Sequence, residues 1–341
     1  MSWAIFYKLL AIFVTVLLGW FVGRMRWLGE GGNREKGEQG GGGSDPARVL
    51  SSAAFYLFMP ALLFRTTARL DLAHLPWGLL LAFFGPLLLM ALAVYSWQRA
   101  RLGGAARDES TAARPSVQAI NAVFGNTMQV GVPLAAGVFG ETGLGLHITV
   151  LSLHSLTLLS VLTTLVELDL ARARARHQAQ SLAATLRTTV RNTVIHPVVL
   201  PVLAGLAWNA LGLHLPAVLD EVLQLLSTAV VPLCLTLIGM SMAYYGWPPG
   251  WRGTLGLVAL KLLLLPAVVL LIAHWGLGLA GLPLAVIVMM AALPTGSNAL
   301  IFAQRYRSLE GESTATIVLS TLLFVLTAPL WLALLAWVGG A

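Results

Sequence analysis

Charged residues are scarce in this chain: they make up 10% of its 341 residues, whereas hydrophobic residues make up 57%. An ordinary soluble domain has about 25% charged residues, so the composition excludes that class. The mean hydropathy of +0.81 indicates a membrane protein with several spans. Such spans are expected to be helices, because the edges of an open sheet cannot be satisfied in lipid.

Cysteine is also nearly absent. Cys234 is the only one, which excludes an internal disulfide, and no paired Cys/His spacing suggests a zinc site. The Gly-rich segment 29–44 lacks the Gly-Lys-Ser/Thr sequence of a phosphate-binding loop. We therefore expect no metal and no cofactor.

Acidic residues are missing from the middle of the apolar segments, because all 14 lie in loops or at segment ends. Sodium/proton antiporters depend on carboxylates buried in the membrane. The distribution disfavours that function. Any coupling cation would have to use neutral oxygens, a histidine or an acid at a segment end.

Long apolar segments are what the chain has in abundance. A segment of about 20 residues crosses a hydrocarbon core of about 30 Å, and we predict ten such transmembrane helices. They lie near residues 4–23, 48–66, 76–97, 114–139, 142–168, 193–212, 217–243, 254–275, 283–304 and 313–337.

Basic residues fall mainly in alternate loops between these segments. With the N-terminus outside the cytoplasm, 17 of the 21 Lys and Arg residues lie in inner loops, and only Arg65 and Arg69 lie in outer ones. The positive-inside rule therefore predicts a multi-pass plasma-membrane protein with both termini outside the cytoplasm. This distribution, with the basic run 171–180 near lipid headgroups, accounts for the net charge of +7 without a nucleic-acid partner.

Glycine, proline and amide residues interrupt the fourth and ninth segments. Freed backbone groups are costly in lipid, so such a break persists only inside protein or beside a watery cavity. A matched pair of broken spans is typical of the binding site of a secondary transporter. We predict that the ligands are Asn126, Thr127, Gln129, Thr295, Ser297 and Asn298, and that Gly131, Pro133, Pro294 and Gly296 hold the breaks open.

An anionic cargo suits these breaks. Each leaves a helix N-terminus whose free N–H groups and partial positive charge favour an anion by about 0.3 to 1 kcal/mol, and by up to about 2 kcal/mol when partly buried. Two ionisable side chains within the segments have open roles. Lys261 either extends to the headgroups or acts beside the anion or in place of a cation, and His154 is either a neutral hydrogen-bonded residue or a proton relay.

Prolines at similar places in the two halves indicate an internal repeat. Because each half has an odd number of helices, the second repeat enters the membrane from the opposite side. We predict a first repeat at 1–168, a basic inner loop at 169–192 and a second, inverted repeat at 193–341. The matched pairs are Pro60 with Pro232, Pro86 with Pro266, and Pro133 with Pro294.

The two breaks carry distinctive stretches, NTMQVGVP at 126–133 and ALPTGSNALIFAQRY at 292–306. They resemble the Asn-Thr-x-x-x-Gly-Ile/Val-Pro and Ala-x-Pro-x-Gly...Phe-Ala-x-x-Tyr stretches of the auxin efflux carrier family. Further similar segments are FYLFMPALLF at 55–64 and KLLLLP at 261–266. The short central loop is similar to that of bacterial members, which implies a bacterial inner membrane.

The resemblance implies the fold of the bile-acid/sodium symporters. In that fold spans 1, 2, 6 and 7 form a scaffold, spans 3 to 5 and 8 to 10 form a transport domain, and broken helices 4 and 9 cross. The resemblance also implies elevator-type alternating access, homodimers and small carboxylate substrates such as auxin, malate or malonate. We therefore predict an all-α secondary carrier of small organic anions that is not an enzyme.

Two alternatives stay open. A sodium-coupled bile-acid-like symporter shares the fold, and uptake with and without sodium distinguishes it. An intramembrane enzyme would use His154 or His196, but the Thr-Gly-Ser-Asn stretch of the ninth segment lacks a Gly-x-Ser-x-Gly turn and a nearby histidine. Turnover without transport would indicate the enzyme.

The predicted topology can be tested by cysteine labelling after replacement of Cys234 by serine. Single cysteines at Gly43 and Ala179 should react only from the cytoplasmic side, and one at Ala341 only from the opposite side, because the basic loops remain in the cytoplasm. A membrane-impermeant thiol reagent applied to intact and to opened cells measures this. Reaction of the Ala341 position from the cytoplasm would contradict the ten-span topology.

Overall fold

The computed structural model describes residues 3–29, 46–69, 76–103, 109–177, 195, 197, 199–245 and 251–339. Within these ranges the chain is folded into helices connected by short turns. The helices are α1 (Trp3–Arg24), α2 (Pro46–Ala68), α3 (Trp77–Leu102), α4 (Arg114–Val123), α5 (Val132–His177), α6 (Val199–Ala210), α7 (Ala217–Tyr245), α8 (251–276), α9 (Gly281–Ala292), α10 (Asn298–Arg305) and α11 (Glu310–Gly339).

These helices confirm the predicted all-α membrane fold. Every predicted segment coincides with helix over at least part of its length, and the two interrupted segments divide as expected, the fourth into α4 and the start of α5 and the ninth into α9 and α10. By length and composition, six helices of the described part can cross a membrane. They are Pro46–Ala68, Trp77–Leu102, Leu134–Ala173, Ala217–Tyr244, Gly253–Gly276 and Glu310–Val338, and shorter apolar helices lie at Val14–Arg24, Val199–Ala210 and Gly281–Ala292.

The boundary between the fourth and fifth segments lies at Gly140. This residue interrupts α5 with φ 64° and ψ −164°, a backbone conformation open to glycine. At its other end α5 continues to His177, so the helix extends beyond the boundary that we predicted at residue 168. The rest of the predicted loop, up to residue 192, lies outside the described residues.

The helices pack in two groups. In the first, α1 lies along α7, and α2 packs on α6 and α7. In the second, α3 packs on α4 and α8, while α9 packs on α5, α8 and α11. The groups meet where α10 and α11 contact α7 and where α5 contacts α1 and α2. The scaffold and transport domains that the family resemblance implies stay a prediction.

Small residues let α1 and α7 approach closely. A Cβ atom at Gly19 would collide with the backbone of Thr236, and one at Gly239 would collide with the backbone of Val16. A Cβ atom at Gly23 would lie 2.9 Å from the Cβ atom of Ala243. Such small-residue contacts are typical of helices that associate within lipid, where burying apolar surface gives no driving force.

Three π-helical turns accompany prolines. The turns are Ala54–Phe58, Thr127–Gly131 and Leu260–Leu264, and each ends two residues before a proline. A proline ring clashes with the carbonyl group four residues earlier, which lies inside the wide turn in all three cases. The widened turn relieves the clash. The prolines are Pro60, Pro133 and Pro266.

The turn before Pro266 leaves the carbonyl of Leu262 without its helical donor, because proline has no N–H group. The indole Nε1 of Trp331 on α11 donates a hydrogen bond of 2.8 Å to this oxygen. Both side chains are buried. A side chain from a neighbouring helix thus satisfies a backbone group that the proline would otherwise leave unpaired in the membrane.

Polar contacts at the helix ends join loops that we predicted to lie on the same side of the membrane. On the predicted outer side, Arg65 lies 2.9 Å from Asp220. On the predicted inner side, Asp169 of α5 accepts a hydrogen bond of 2.7 Å from Tyr95 of α3 and pairs with Arg99. The orientation of the whole chain stays a prediction.

Candidate binding site at a helix crossover

The two helix breaks contact each other directly and form a crossover, consisting of residues 124–126 and 293–297. The amide of Asn126 donates to the carbonyl of Pro294 at 2.8 Å, and the amide of Gly296 donates to the carbonyl of Phe124 at 2.9 Å. Gly125 and Thr295 therefore face each other as an isolated antiparallel bridge. Each break satisfies backbone groups of the other, which explains how both persist inside a membrane protein.

Side chains of α4 and α11 hold the second break in place. The amide of Thr295 donates to Ser320 Oγ at 3.0 Å, and its hydroxyl donates to the carbonyl of Asn121 at 3.0 Å. The side-chain amide of Asn121 in turn donates to Ser313 Oγ at 2.8 Å. Thr295 is fully buried, and its backbone N–H and its hydroxyl group are directed to the side of the crossover that faces α4 and α11.

Two glycines allow the close approach of the broken segments. A Cβ atom at Gly296 would lie 2.8 Å from the carbonyl oxygen of Gly125. One at Gly131 would lie 2.6 Å from Cε1 of His147 and 2.8 Å from a methyl group of Leu293. These glycines are thus needed for packing, whereas we had assigned them only to holding the breaks open.

Lys261 lies beside the crossover on the side where α9 ends. Its side chain is fully buried, and Nζ donates a hydrogen bond of 2.6 Å to the carbonyl of Ala291 in the last turn of α9. A Cβ atom at Gly125 would lie 3.6 Å from the same nitrogen. Lys261 therefore does not extend to the headgroups. It supplies a donor at a helix C-terminus, where carbonyl groups lack partners and carry partial negative charge.

Two histidines of α5 lie on the first break. His154 is buried, with its ring centroid 4.6 Å from that of Phe124, and its Nδ1 has no hydrogen-bond partner among the described residues. His147 bonds the carbonyl of Thr127 at 2.8 Å. Sequence reasoning singled out His154 and missed His147, although a spacing of seven residues places both on one face of a helix.

A small cavity lies between the crossover and the first helix group. Its volume is about 50 Å³. One wall is formed by α2 and α7, through Leu62, Val230 and Val231. The polar side chains that line it are neutral, and they are Asn126, Thr127, Ser155, Ser297 and Asn298.

Comparison with known families agrees with this architecture. The profile of a family described as "membrane transport protein" matches residues 4–332, nearly the whole chain. The chain belongs to this family, that of the auxin efflux carriers. The protein is thus a membrane transporter. A comparison with curated proteins gives no match.

The transporter's crossover gathers most of the residues predicted for the site. Asn126, Thr127, Ser297 and Asn298 line the cavity, whereas Thr295 is directed to α4 and α11. Pro294 contributes its carbonyl to the backbone pairing. The side chains of Gln129 and Pro133 lie outside the part of the chain that the structure describes, as does His196.

Some contributors to the site had no signal in the sequence. Ser155 on α5 lines the cavity. Asn121 and Ser320 support Thr295. Single serines and asparagines in apolar helices are too common to indicate a site without the tertiary structure.

The glycine at 296 should be essential to the crossover. Gly296→Ala should lower the free energy of unfolding by about 1 to 3 kcal/mol, the usual cost of overpacking, because its Cβ meets backbone atoms that cannot rotate away. Gly125→Ala is the matched control, since its Cβ would find its nearest neighbours at 3.5 Å. Thermal unfolding of the purified variants in detergent compares them. Equal melting temperatures would contradict the close approach at Gly296.

Proposed function

We propose that this transporter is a secondary carrier of small organic anions, namely mono- or dicarboxylates such as malate, malonate or auxin-like acids, and that it has no catalytic activity. The observation that carries the proposal is the pairing of two helix breaks around one cavity lined by amide and hydroxyl groups. Asn126 and Thr127 precede or begin one helical segment, and Ser297 and Asn298 begin another.

The electrostatics of this arrangement favour an anion. A helix that begins at a cavity directs its unpaired N–H groups and a partial positive charge towards it. Two such helix starts meet at the crossover, and none of the side chains that line the cavity carries a negative charge. Neutral donors bind a carboxylate weakly enough for release, which a carrier requires.

The size of the cavity supports alternating access by movement of the two helix groups. About 50 Å³ is enough for a few water molecules, each of which needs roughly 10–15 Å³, whereas ligand pockets usually measure about 300–1,000 Å³. One wall belongs to α2 and α7, and the crossover forms the other. Displacement of the second group along the first, as in an elevator mechanism, would open the cavity to a substrate.

The pairing at the crossover also supports two inverted repeats. Around Gly125 and Thr295 the amide one residue after each position donates to the carbonyl one residue before the other. This pattern has local twofold symmetry, as expected where equivalent parts of two inverted repeats meet. We therefore propose repeats of five helices at 1–168 and 193–341, joined by the loop 169–192.

We further propose that Lys261 takes the place of a coupling cation. Its amino group donates to Ala291 near the ends of both α4 and α9, where a bound cation would otherwise meet carbonyl oxygens. This assignment favours the organic-anion carrier over the sodium-coupled symporter. His154, which packs edge-on against the ring of Phe124, is proposed to support the first break rather than to relay protons.

The proposed setting is the bacterial inner membrane, with both termini outside the cytoplasm, membrane lipid as the surrounding partner and no nucleic-acid partner. We also propose a homodimer, which the family resemblance implies. The mass of the detergent-solubilised protein, measured by light scattering with the detergent contribution subtracted, tests this. A monomeric mass at all protein concentrations would refute it.

The two asparagines that line the cavity should contribute to substrate affinity. Asn126→Ala and Asn298→Ala should each weaken the affinity for a transported carboxylate about 2- to 13-fold, because each removes a neutral hydrogen bond worth about 0.5 to 1.5 kcal/mol. Uptake kinetics in proteoliposomes measure this. Gln224→Ala is the control, because that amide bonds Arg65 at a helix end instead. Unchanged kinetics in both asparagine variants would place the binding site elsewhere.

Lys261 should matter for transport beyond its hydrogen bond. Lys261→Met keeps the length of the side chain but removes its charge, and we expect the rate of carboxylate transport to fall at least about tenfold, which corresponds to about 1.4 kcal/mol. Wild-type transport should be unchanged when choline replaces sodium.

Trp331→Phe is the matched control for Lys261→Met, since it also removes the donor to a buried carbonyl, that of Leu262 in the same π-helical turn. It should lower stability and leave the transport rate per folded protein nearly unchanged. Equal transport in both variants would reduce Lys261 to a structural role. A requirement for sodium would favour the symporter.

A further inference from the structure

A second, larger cavity lies at the opposite end of α10 from the crossover. Its volume is about 140 Å³, and it is formed by the first turns of α2 together with the end of α10 and the turn that follows. Three arginines line it, namely Arg48, Arg305 and Arg307. We call this cavity the arginine pocket. In the sequence these arginines count only towards the excess of basic residues in the inner loops.

Positive charge in the arginine pocket is only partly balanced. Arg48 pairs with Glu310 at 3.0 Å. Arg305 lies over the rings of Phe55 and Tyr56, at 5.3 and 5.4 Å from their centroids. Arg305 and Arg307 are both exposed, neither forms an ion pair within the described chain, and no acidic side chain lines the cavity.

The turn after α10 is held in an unusual backbone conformation. Arg307 and Leu309 have φ angles of 49° and 53°, which side-chain-bearing residues rarely adopt. The turn is fixed by hydrogen bonds from the amide of Ser308 to the carbonyl of Ala303 and from the Tyr306 hydroxyl to Glu167. Strained backbone of this kind persists where the surrounding structure fixes it, and it is frequent at binding sites. It sets the position from which Arg307 reaches the cavity.

The arginine pocket and the crossover cavity share two walls. On α10, Asn298 lines the crossover cavity and Gln304 lines the arginine pocket. On α2 the corresponding residues are Leu62 and Phe55. At 1.5 Å per residue these pairs are about 9 and 10.5 Å apart along their helices. The two cavities thus lie one after the other along the same boundary between α2 and α10.

We propose that the arginine pocket is a second anion site, which captures the carboxylate group of the cargo between the crossover and the aqueous phase on the side of Arg305 and Arg307. This inference rests on the proposed function. Guanidinium groups bind carboxylates through paired N–H donors, and exposed positive charge raises the local concentration of an anion and its rate of arrival. The arginine pocket would then select anions by their charge before they reach the crossover, whose lining is neutral.

The test uses the full chain in liposomes of neutral phosphatidylcholine, with malonate flux started from either face. Arg305→Gln and Arg307→Gln should each raise the KM about 2- to 5-fold from the arginine side, the effect expected of exposed charge pairs, with little change in kcat. The effect should shrink at high salt because exposed charges are screened. Flux started from the other face should keep its KM.

Arg101→Gln is the matched control. Arg101 is also exposed and stacks on an aromatic ring, that of Trp97 at 4.6 Å, but it does not line the arginine pocket. It should behave as wild type. If Arg305→Gln and Arg307→Gln also behave as wild type, the proposal is wrong. The proposal is equally wrong if these variants change only the response to added phosphatidylglycerol, because the pocket would then bind lipid headgroups.

A binding measurement separates this inference from the proposed function. Malonate, malate and indole-3-acetate are added to the detergent-solubilised protein, and a bound anion should raise its melting temperature. The rise should be smaller in Arg305→Gln than in Arg101→Gln. If Asn126→Ala and Asn298→Ala both leave transport unchanged while the arginine variants still alter the KM, the crossover site fails and the arginine pocket stands. If none of the three acids stabilises or crosses, the arginine pocket is not a carboxylate site.

Discussion

The need to pair every backbone N–H and C=O group within lipid determines most of this structure. A helix satisfies its own groups, but each of the two broken segments frees several. The crossover solves both problems together, because Asn126 and Gly296 donate to carbonyl groups of the opposite break. Neither break could exist alone in this environment. The crossover therefore forms only when both halves of the chain contribute their broken segments.

The same constraint explains features away from the crossover. Pro266 removes a donor, and Trp331 replaces it at the carbonyl of Leu262. The end of α9 leaves the carbonyl of Ala291 unpaired, and Lys261 donates to it. In each case a side chain from a neighbouring helix donates a hydrogen bond to a backbone carbonyl that has no donor within its own helix. These contacts tie α8 to α9 and α11, and they keep the second helix group together around the crossover.

The crossover separates two electrostatic environments. Helices that begin there present N–H groups to the cavity shared with α2 and α7, and helices that end there present carbonyl groups to Lys261. An anion is favoured on one side and a cation on the other. The amino group of Lys261 occupies the second environment, and the proposed function assigns the first to the cargo. The arginine pocket then lies farther along the boundary that includes this cavity.

The sequence by itself determined the all-α class, the approximate positions of the helices and the location of the breaks, because hydrophobic length and the chemistry of proline and glycine are local properties. It also indicated Asn126, Thr127, Ser297 and Asn298, which line the cavity. Only the tertiary structure decided which way each side chain is directed. Thr295 is directed to Asn121 and Ser320, Lys261 to Ala291, and Arg305 and Arg307 to a cavity beside α2. These directions depend on contacts between residues far apart in the chain, and such contacts form only when the helices pack.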